Sequence, residues 1–166
     1  MIRRAKIPEI DDILAITRAC ARFMSANGID QWNEHYPSRS AFETDLAQEA
    51  LFVKIENSEL IGAIVVSEHM DAEYHAIDWL TENDRNAYIH RVCIHPDHQG
   101  KGHARQLMDF AEQQARRMGC VSVRLDTFSL NTRNQRFYEA RGYHRLGDVY
   151  FPKQSEAPFH CYELLL

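Results

Sequence analysis

Residues 87–125 hold the feature that most restricts the fold. The run AYIHRVCIHP is strand-like and stops at Pro96. QGKGHA follows, and then Ala104, Leu107, Met108, Ala111, Ala115 and Met118 mark one face of a helix. Arg116 and Arg117 fall in its last turn, where cations oppose the helix dipole, and Gly119 suits the position just past its end. Val121, Val123 and Leu125 then alternate with polar residues, which predicts a half-buried strand. Strand, helix and strand of these lengths form a crossover, so the two strands are parallel.

The flanking segments build a different kind of sheet around that unit. IRRAKI reads as a short strand, and Pro8 opens a helix carrying Ile10, Ile13, Leu14, Thr17 and Ala21 at helical spacing. It fades near Asn27-Gly28, and residues 28–37 read as a loop. SRSAFETDLAQ predicts a short helix capped by Ser38 or Ser40. LFVKIE and LIGAIVVSEH are strands joined by Asn57-Ser58, a hairpin signature. MDAEYHAIDWLTENDRN is a long polar excursion. RNQRFYEAR predicts a further helix ended by Gly142, and YHRLGDVYF and FHCYELLL close the chain as strands. The expected fold is α/β: a mixed, mostly antiparallel central sheet of about seven strands, with a central β-α-β crossover and about four helices. Without repeats or linkers, residues 1–166 read as a single domain.

Composition narrows the partners. A formal net charge of −5 argues against nucleic acid or an anionic membrane, and is compatible with a cationic small molecule. No run approaches the ~20 apolar residues of a membrane span. The scattered Cys20, Cys93, Cys120 and Cys161 read as reduced thiols, so the expected location is cytoplasmic.

A strand that enters a glycine loop and then a helix N-terminus makes an anion site, because unpaired N–H groups point outward there. Gly100 and Gly102 let the backbone approach a ligand, and Lys101, His103 and Arg105 add positive charge. A tight turn with no ligand is the plain alternative. His103 stands where a Walker A loop needs lysine, and Arg105 breaks the dinucleotide GxGxxG pattern.

Gln99-Gly100-Lys101-Gly102-His103-Ala104 matches [Q/R]xxGx[G/A] and follows Ile94-His95-Pro96. Downstream, NTRNQRFYEARGY sets Asn131 seven residues before Tyr138, with Gly142-Tyr143 beyond. The two motifs together resemble the GNAT superfamily of acyl-CoA N-acyltransferases, with Tyr143 in place of that family's phenylalanine. The resemblance implies the acyl-CoA N-acyltransferase fold and acetyl-CoA as co-substrate, with no metal. It implies that the backbone of Val92, Cys93 and Ile94 pairs with pantetheine and that amides of residues 99–104 hold the pyrophosphate. Asn131 would position the pantetheine or cap a helix, and an amide of Cys93 or Ile94 would polarise the thioester.

Transfer to an amine needs an acid and a base. A phenol holds its proton at neutral pH, so Tyr138 is the natural donor to the leaving thiolate; packing of its ring is the alternative. For the base, His90 and Glu68 compete with each other and with a water chain. Cys93 reads better as a small core residue than as a nucleophile. The histidines at 90, 95, 98 and 103 lack metal-site spacing. In the first interhelical loop Trp32 and Tyr36 could stack on the acceptor and Glu34 could hold an ammonium, while Trp79 could close over the same mouth. His160 and Tyr162 could face it too. The expected activity is direct acetyl transfer to a primary amine, the acceptor being a small molecule. A protein N-terminus or lysine is the alternative acceptor, and a non-catalytic acyl-CoA sensing domain the alternative class. Related folds are often dimeric, which adds a homodimer to the expected partners.

Overall fold

The computed structural model describes residues 1–166. Its sheet has seven strands in the order β1-β2-β3-β4-β5-β7-β6. They are β1 Ile2–Arg4, β2 Leu51–Glu56, β3 Glu59–Ser67, β4 Asn86–Ile94, β5 Ser122–Phe128, β6 His144–Val149 and β7 Phe159–Leu165. β4 and β5 are the one parallel pair, joined by helix α3, His103–Arg117. Every other neighbouring pair is antiparallel. The β2–β3 turn has positive φ at both Asn57 and Ser58, the conformation a two-residue hairpin needs to match strand twist.

Helices cover both faces. α1, Ile10–Ala26, and α2, Arg39–Ala47, pack on one face against Val53, Ala63, Val65 and Cys93. α3 and α4, Thr132–Ala140, pack on the other against Ile64, Ala87, Val123 and Leu125. Pro8 sits in a short 3-10 turn, Ile7–Glu9, that leads into α1. Ser38 rather than Ser40 caps α2, its hydroxyl accepting the Ala41 N–H at 3.2 Å. Leu107, Met108, Ala111 and Ala115 are the buried face of α3, as their spacing requires.

The expectation of a half-solvated β5 is corrected. Ser122, Val123, Arg124 and Leu125 are at most 1% exposed, so both faces are covered. The polar face lies under the segment between β3 and β4, which runs as a strap across the sheet with a 3-10 turn at Ala72–Ala76. Arg124 anchors it. Its guanidinium donates to Glu163 at 3.0 Å, Asn83 at 2.6 Å, the Tyr88 hydroxyl at 3.1 Å and the Thr81 carbonyl at 2.7 Å. The Trp79 ring stacks 4.4 Å from the guanidinium carbon. Glu163 in turn accepts from the Leu80 N–H and the Thr81 hydroxyl, both at 2.5 Å. An alternating polar residue here marks a buried ion pair, stable because every donor is met.

Candidate active site

The site begins where β4 and β5 part. They pair only at Asn86↔Ser122, Ala87↔Val123 and Tyr88↔Arg124. Beyond that point β5 stays with β7 as far as Phe128↔Phe159, and β4 stays with β3 as far as Gly62↔Ile94. β4 also gains one residue on β3, since Val65 pairs with His90 but Ala63 with Cys93. The extra residue makes a bulge at Arg91, whose φ is +51°. Arg91 grips Asp45 of α2 through two bonds of 2.8 and 2.6 Å and donates to the Tyr36 hydroxyl at 3.3 Å. That bidentate pair ties the bulge to α2.

A cleft of ≈ 550 Å³ opens between α1, the end of β4, the glycine loop and α4. Val92, Cys93, Ile94, Gln99, Gly100, Gly102, His103, Ala104, Asn131 and Tyr138 all line it. The His95 N–H donates to the Ile61 carbonyl at 2.8 Å, and strand alternation turns the Cys93 amide toward β3 as well. Ile94 faces the other way, its carbonyl accepting from the Cys20 thiol at 3.2 Å and the Gln99 amide at 3.0 Å. Of the two expected oxyanion donors, Ile94 is therefore the one aimed into the gap. Cys93 is a core residue whose thiol is pushed well above its ordinary range by burial and by Cys20.

Gly100 and Gly102 have φ of +74° and +84°, which L side chains resist, and a Cβ at either would project into open space. Gly102 is the N-cap of α3, so the first free N–H groups of the helix open beside it. Lys101 does not reach outward; its ammonium donates to the Asp97 carbonyl at 2.9 Å and braces the loop. His103 is 8% exposed, and its Nδ1 is buried without a partner. The open glycine turn, the free helix terminus and this unmet polar atom together fit a phosphate-bearing ligand.

A second, narrow cavity of ≈ 80 Å³ lies at the gap between the α1–α2 loop, the strap at Asp71 and α4. It shares Gln31, Trp32, Val92, Asn134 and Tyr138 with the cleft, so Tyr138 stands where the two meet. Burial, then the charge of Asp126, raises the Tyr138 phenol above its ordinary range and keeps it protonated. Asn131 caps α4 by accepting the Asn134 N–H at 3.1 Å and donates to Gln31 at 3.0 Å, closing the α1–α2 loop onto α4. Trp32 and Tyr36 line the narrow cavity, and His90 lies half-buried in its wall.

Several expected residues stand elsewhere. Glu68 is exposed beyond the end of β3 and lines neither cavity; Glu34 is exposed, with His35 as its neighbour at 3.5 Å. Trp79 is spent on Arg124 and donates its indole N–H to the Tyr74 carbonyl at 2.9 Å. His160 pairs with Asp148 at 2.6 Å, and Tyr162 donates to Glu139 at 3.0 Å. The residues that sequence patterns leave out are Asp71, Arg91 and Asp126, three charged groups in the narrow cavity. Only the periodicity of β5 touches one of them, and it marks Asp126 as solvent-facing.

A family model described as the acetyltransferase (GNAT) family matches residues 11–143. An acetyltransferase of the GNAT family from Streptococcus agalactiae is 25% identical, with a TM-score of 0.81 over 100% of this chain and 95% of that one. A protein from Salmonella typhimurium solved with its cofactor acetyl-CoA is 21% identical, with a TM-score of 0.68 over 100% and 93%. PaiA N-acetyltransferase from Thermoplasma acidophilum, in complex with coenzyme A, is 17% identical, with a TM-score of 0.74 over 100% and 98%. Comparison with curated protein sequences finds no match. With the sheet parted between β4 and β5 and the glycine loop at the parting, the chain belongs to the GNAT acetyltransferase family.

Proposed function

We propose that the protein transfers an acetyl group from acetyl-CoA to a small primary amine, by direct attack with both molecules bound. The observation that carries this is the meeting of a large cleft and a narrow cavity at the β4–β5 gap, with Tyr138 common to both. The relatives solved with acetyl-CoA and coenzyme A support acetyl-CoA as occupant of the cleft. Bound there, acetyl-CoA supplies an activated acetyl thioester.

The chain's own residues divide the work. The amides of the glycine loop and the start of α3 receive the pyrophosphate. The free edge of β4, with the Ile94 N–H, offers a strand-like partner to the pantetheine arm and a donor to the developing oxyanion. Tyr138 gives its proton to the leaving sulfur. On the acceptor side Trp32 and Tyr36 face an ammonium, and Asp71 and Asp126 set the sign of the field. The Arg91 charge there is already matched by Asp45. The small cavity and the net charge of −5 favour a cationic small molecule over a protein or nucleic acid. Four free, buried cysteines favour a reducing, cytoplasmic setting. No helix is long and apolar enough to cross a membrane.

The test is release of CoA thiol from acetyl-CoA with and without a panel of amines and peptides, beside melting curves with acetyl-CoA. Ligand at 100 times its dissociation constant adds ~2.7 kcal/mol, a visible shift. Amine-dependent release establishes the reaction; a melting shift without release across the panel favours a sensing domain; the absence of both release and shift refutes the reading.

A further inference from the structure

The acceptor side of the gap contains a carboxylate that the family motifs do not mark. Asp126 lies on β5 two residues past Arg124, the last residue paired to β4, so it stands at the opening of the gap. It shares the sheet face of Arg124 and Phe128, on the side of the strap, while Tyr138 reaches the gap from α4 on the opposite face. Its Oδ2 accepts the Tyr74 hydroxyl, and the carboxylate lines the narrow cavity that ends at Tyr138. Given acetyl transfer as proposed above, we infer that Asp126 is the catalytic base that takes a proton from the attacking ammonium, held in position by Tyr74.

The electrostatics agree with that geometry. Burial raises the Asp126 carboxyl to about 7; the Tyr74 hydroxyl and Arg91 pull it down, while Asp71 and Glu73 of the strap push it up. Tyr36 of the α1–α2 loop, Tyr138 of α4 and Cys161 of β7 also face it, and all three hold their protons at neutral pH. An ordinary aspartate near 4 is too weak a base for an amine, and one near 7 is matched to neutral operation. His90 across the gap is held at about 4 by burial and by Arg91, so it is a poor proton acceptor. Glu68 is outside both cavities.

The protons balance. One leaves the ammonium for the Asp126 carboxylate and passes to solvent after turnover. The neutral nitrogen then forms the C–N bond to the thioester carbon. As the C–S bond breaks, Tyr138 protonates sulfur and recovers its proton from the nitrogen through water. The products are the amide and free CoA thiol.

The experiment compares two acceptors on wild type and Asp126→Asn at pH 7: phenethylamine, which is almost fully protonated, and hydroxylamine, which is mostly neutral. The expected result is a loss of about 100-fold or more in kcat/KM with phenethylamine, a loss of only a few fold with hydroxylamine, and an unchanged melting shift with acetyl-CoA. Equal losses on both acceptors, or none, overturn the assignment while leaving acetyl transfer intact. Absence of the acetyl-CoA shift in wild type overturns the reaction itself and this base with it. Tyr74→Phe is the milder variant: removing its hydrogen bond raises the Asp126 carboxyl, so the acid limb of kcat/KM moves to higher pH, and an unmoved limb counts against the pair. Infrared spectra of the protein alone decide the matter whatever acceptor the enzyme prefers. Wild type must lose a protonated-carboxyl band between about pH 6 and 8 that Asp126→Asn lacks, and a carboxyl already ionised at pH 5 refutes the base.

Discussion

Replacing Arg124 by methionine separates the fold's anchor from its chemistry. Both Arg124 and Glu163 are 0% exposed, so the substitution strands a carboxylate in the interior. Breaking a buried pair costs about 3–5 kcal/mol. Glu163 keeps two strong donors, the Leu80 N–H and the Thr81 hydroxyl. We therefore expect the lower part of that range, about 3–4 kcal/mol. For a chain of this size each kcal/mol lowers Tm by ~2–4 °C, giving a drop of roughly 6–16 °C. The strap loses the guanidinium that holds Thr81, Asn83 and Trp79, and with it the seat of Tyr74. No residue of the strap lines the large cleft, so the melting shift produced by acetyl-CoA stays that of wild type. The assay is urea unfolding, with midpoints compared at constant slope, and acetyl-CoA melting curves beside it. The double variant Arg124→Met/Glu163→Met loses less than the single one, because no charge is left unpaired. A single variant within about 1 kcal/mol of wild type, or a double variant whose losses simply add, refutes the anchoring argument.

Three further outcomes follow from the same geometry. Tyr138→Phe removes the proposed proton donor but keeps the ring packed between Phe137 and Tyr143, so kcat falls by roughly 10²-fold or more while acetyl-CoA binding, read by calorimetry, is unchanged. A Cβ at Gly62 would sit 2.5 Å from the Cys93 carbonyl oxygen; Gly62→Ala therefore displaces β4, costs ~1–3 kcal/mol in urea unfolding and weakens acetyl-CoA binding. Asp126 titrates at about 7 against 3.8 when unfolded, a raised value, so its contribution to stability is present below the unfolded value and lost as pH rises through about 7. At ~1.4 kcal/mol per unit, discounted for its partial exposure, wild type loses about 2 kcal/mol between pH 5 and 8 relative to Asp126→Asn, and a pH-independent difference in unfolding free energy between the two contradicts the shift.

The proposed cofactor side is legible because its parts are consecutive. Residues 92–104 hold the strand end, the glycine turn and the helix start, and local chemistry fixes each. The acceptor side was hidden for physical reasons that differ from residue to residue. Arg91 bulges with φ of +51° and no glycine announces it; its partner Asp45 is 46 residues away. Arg124 and Asp126 alternate with apolar neighbours as a solvent-facing row would, since period two records which face a residue takes and not what covers that face. In the sequence, its place in the long polar excursion puts Trp79 over the mouth, yet a buried guanidinium is the stronger claimant. Glu68 lies past the end of β3 and Glu34 in the α1–α2 loop; both have suitable chemistry, but both are exposed and neither lines a cavity.

The parting of β4 and β5 has a consequence for the life of the protein before it meets its substrate. A strand edge with free amides and carbonyls is a template for another chain, and most proteins blunt such edges at the rim of a sheet. Here the open edge lies in the middle of the sheet, roofed by α1 on one side and by α3 and α4 on the other. The cleft of ≈ 550 Å³ is the opening onto that edge, since Val92, Cys93 and Ile94 line it. An acyl-CoA bound there as proposed would therefore also cover the backbone amides and carbonyls that another chain could pair with.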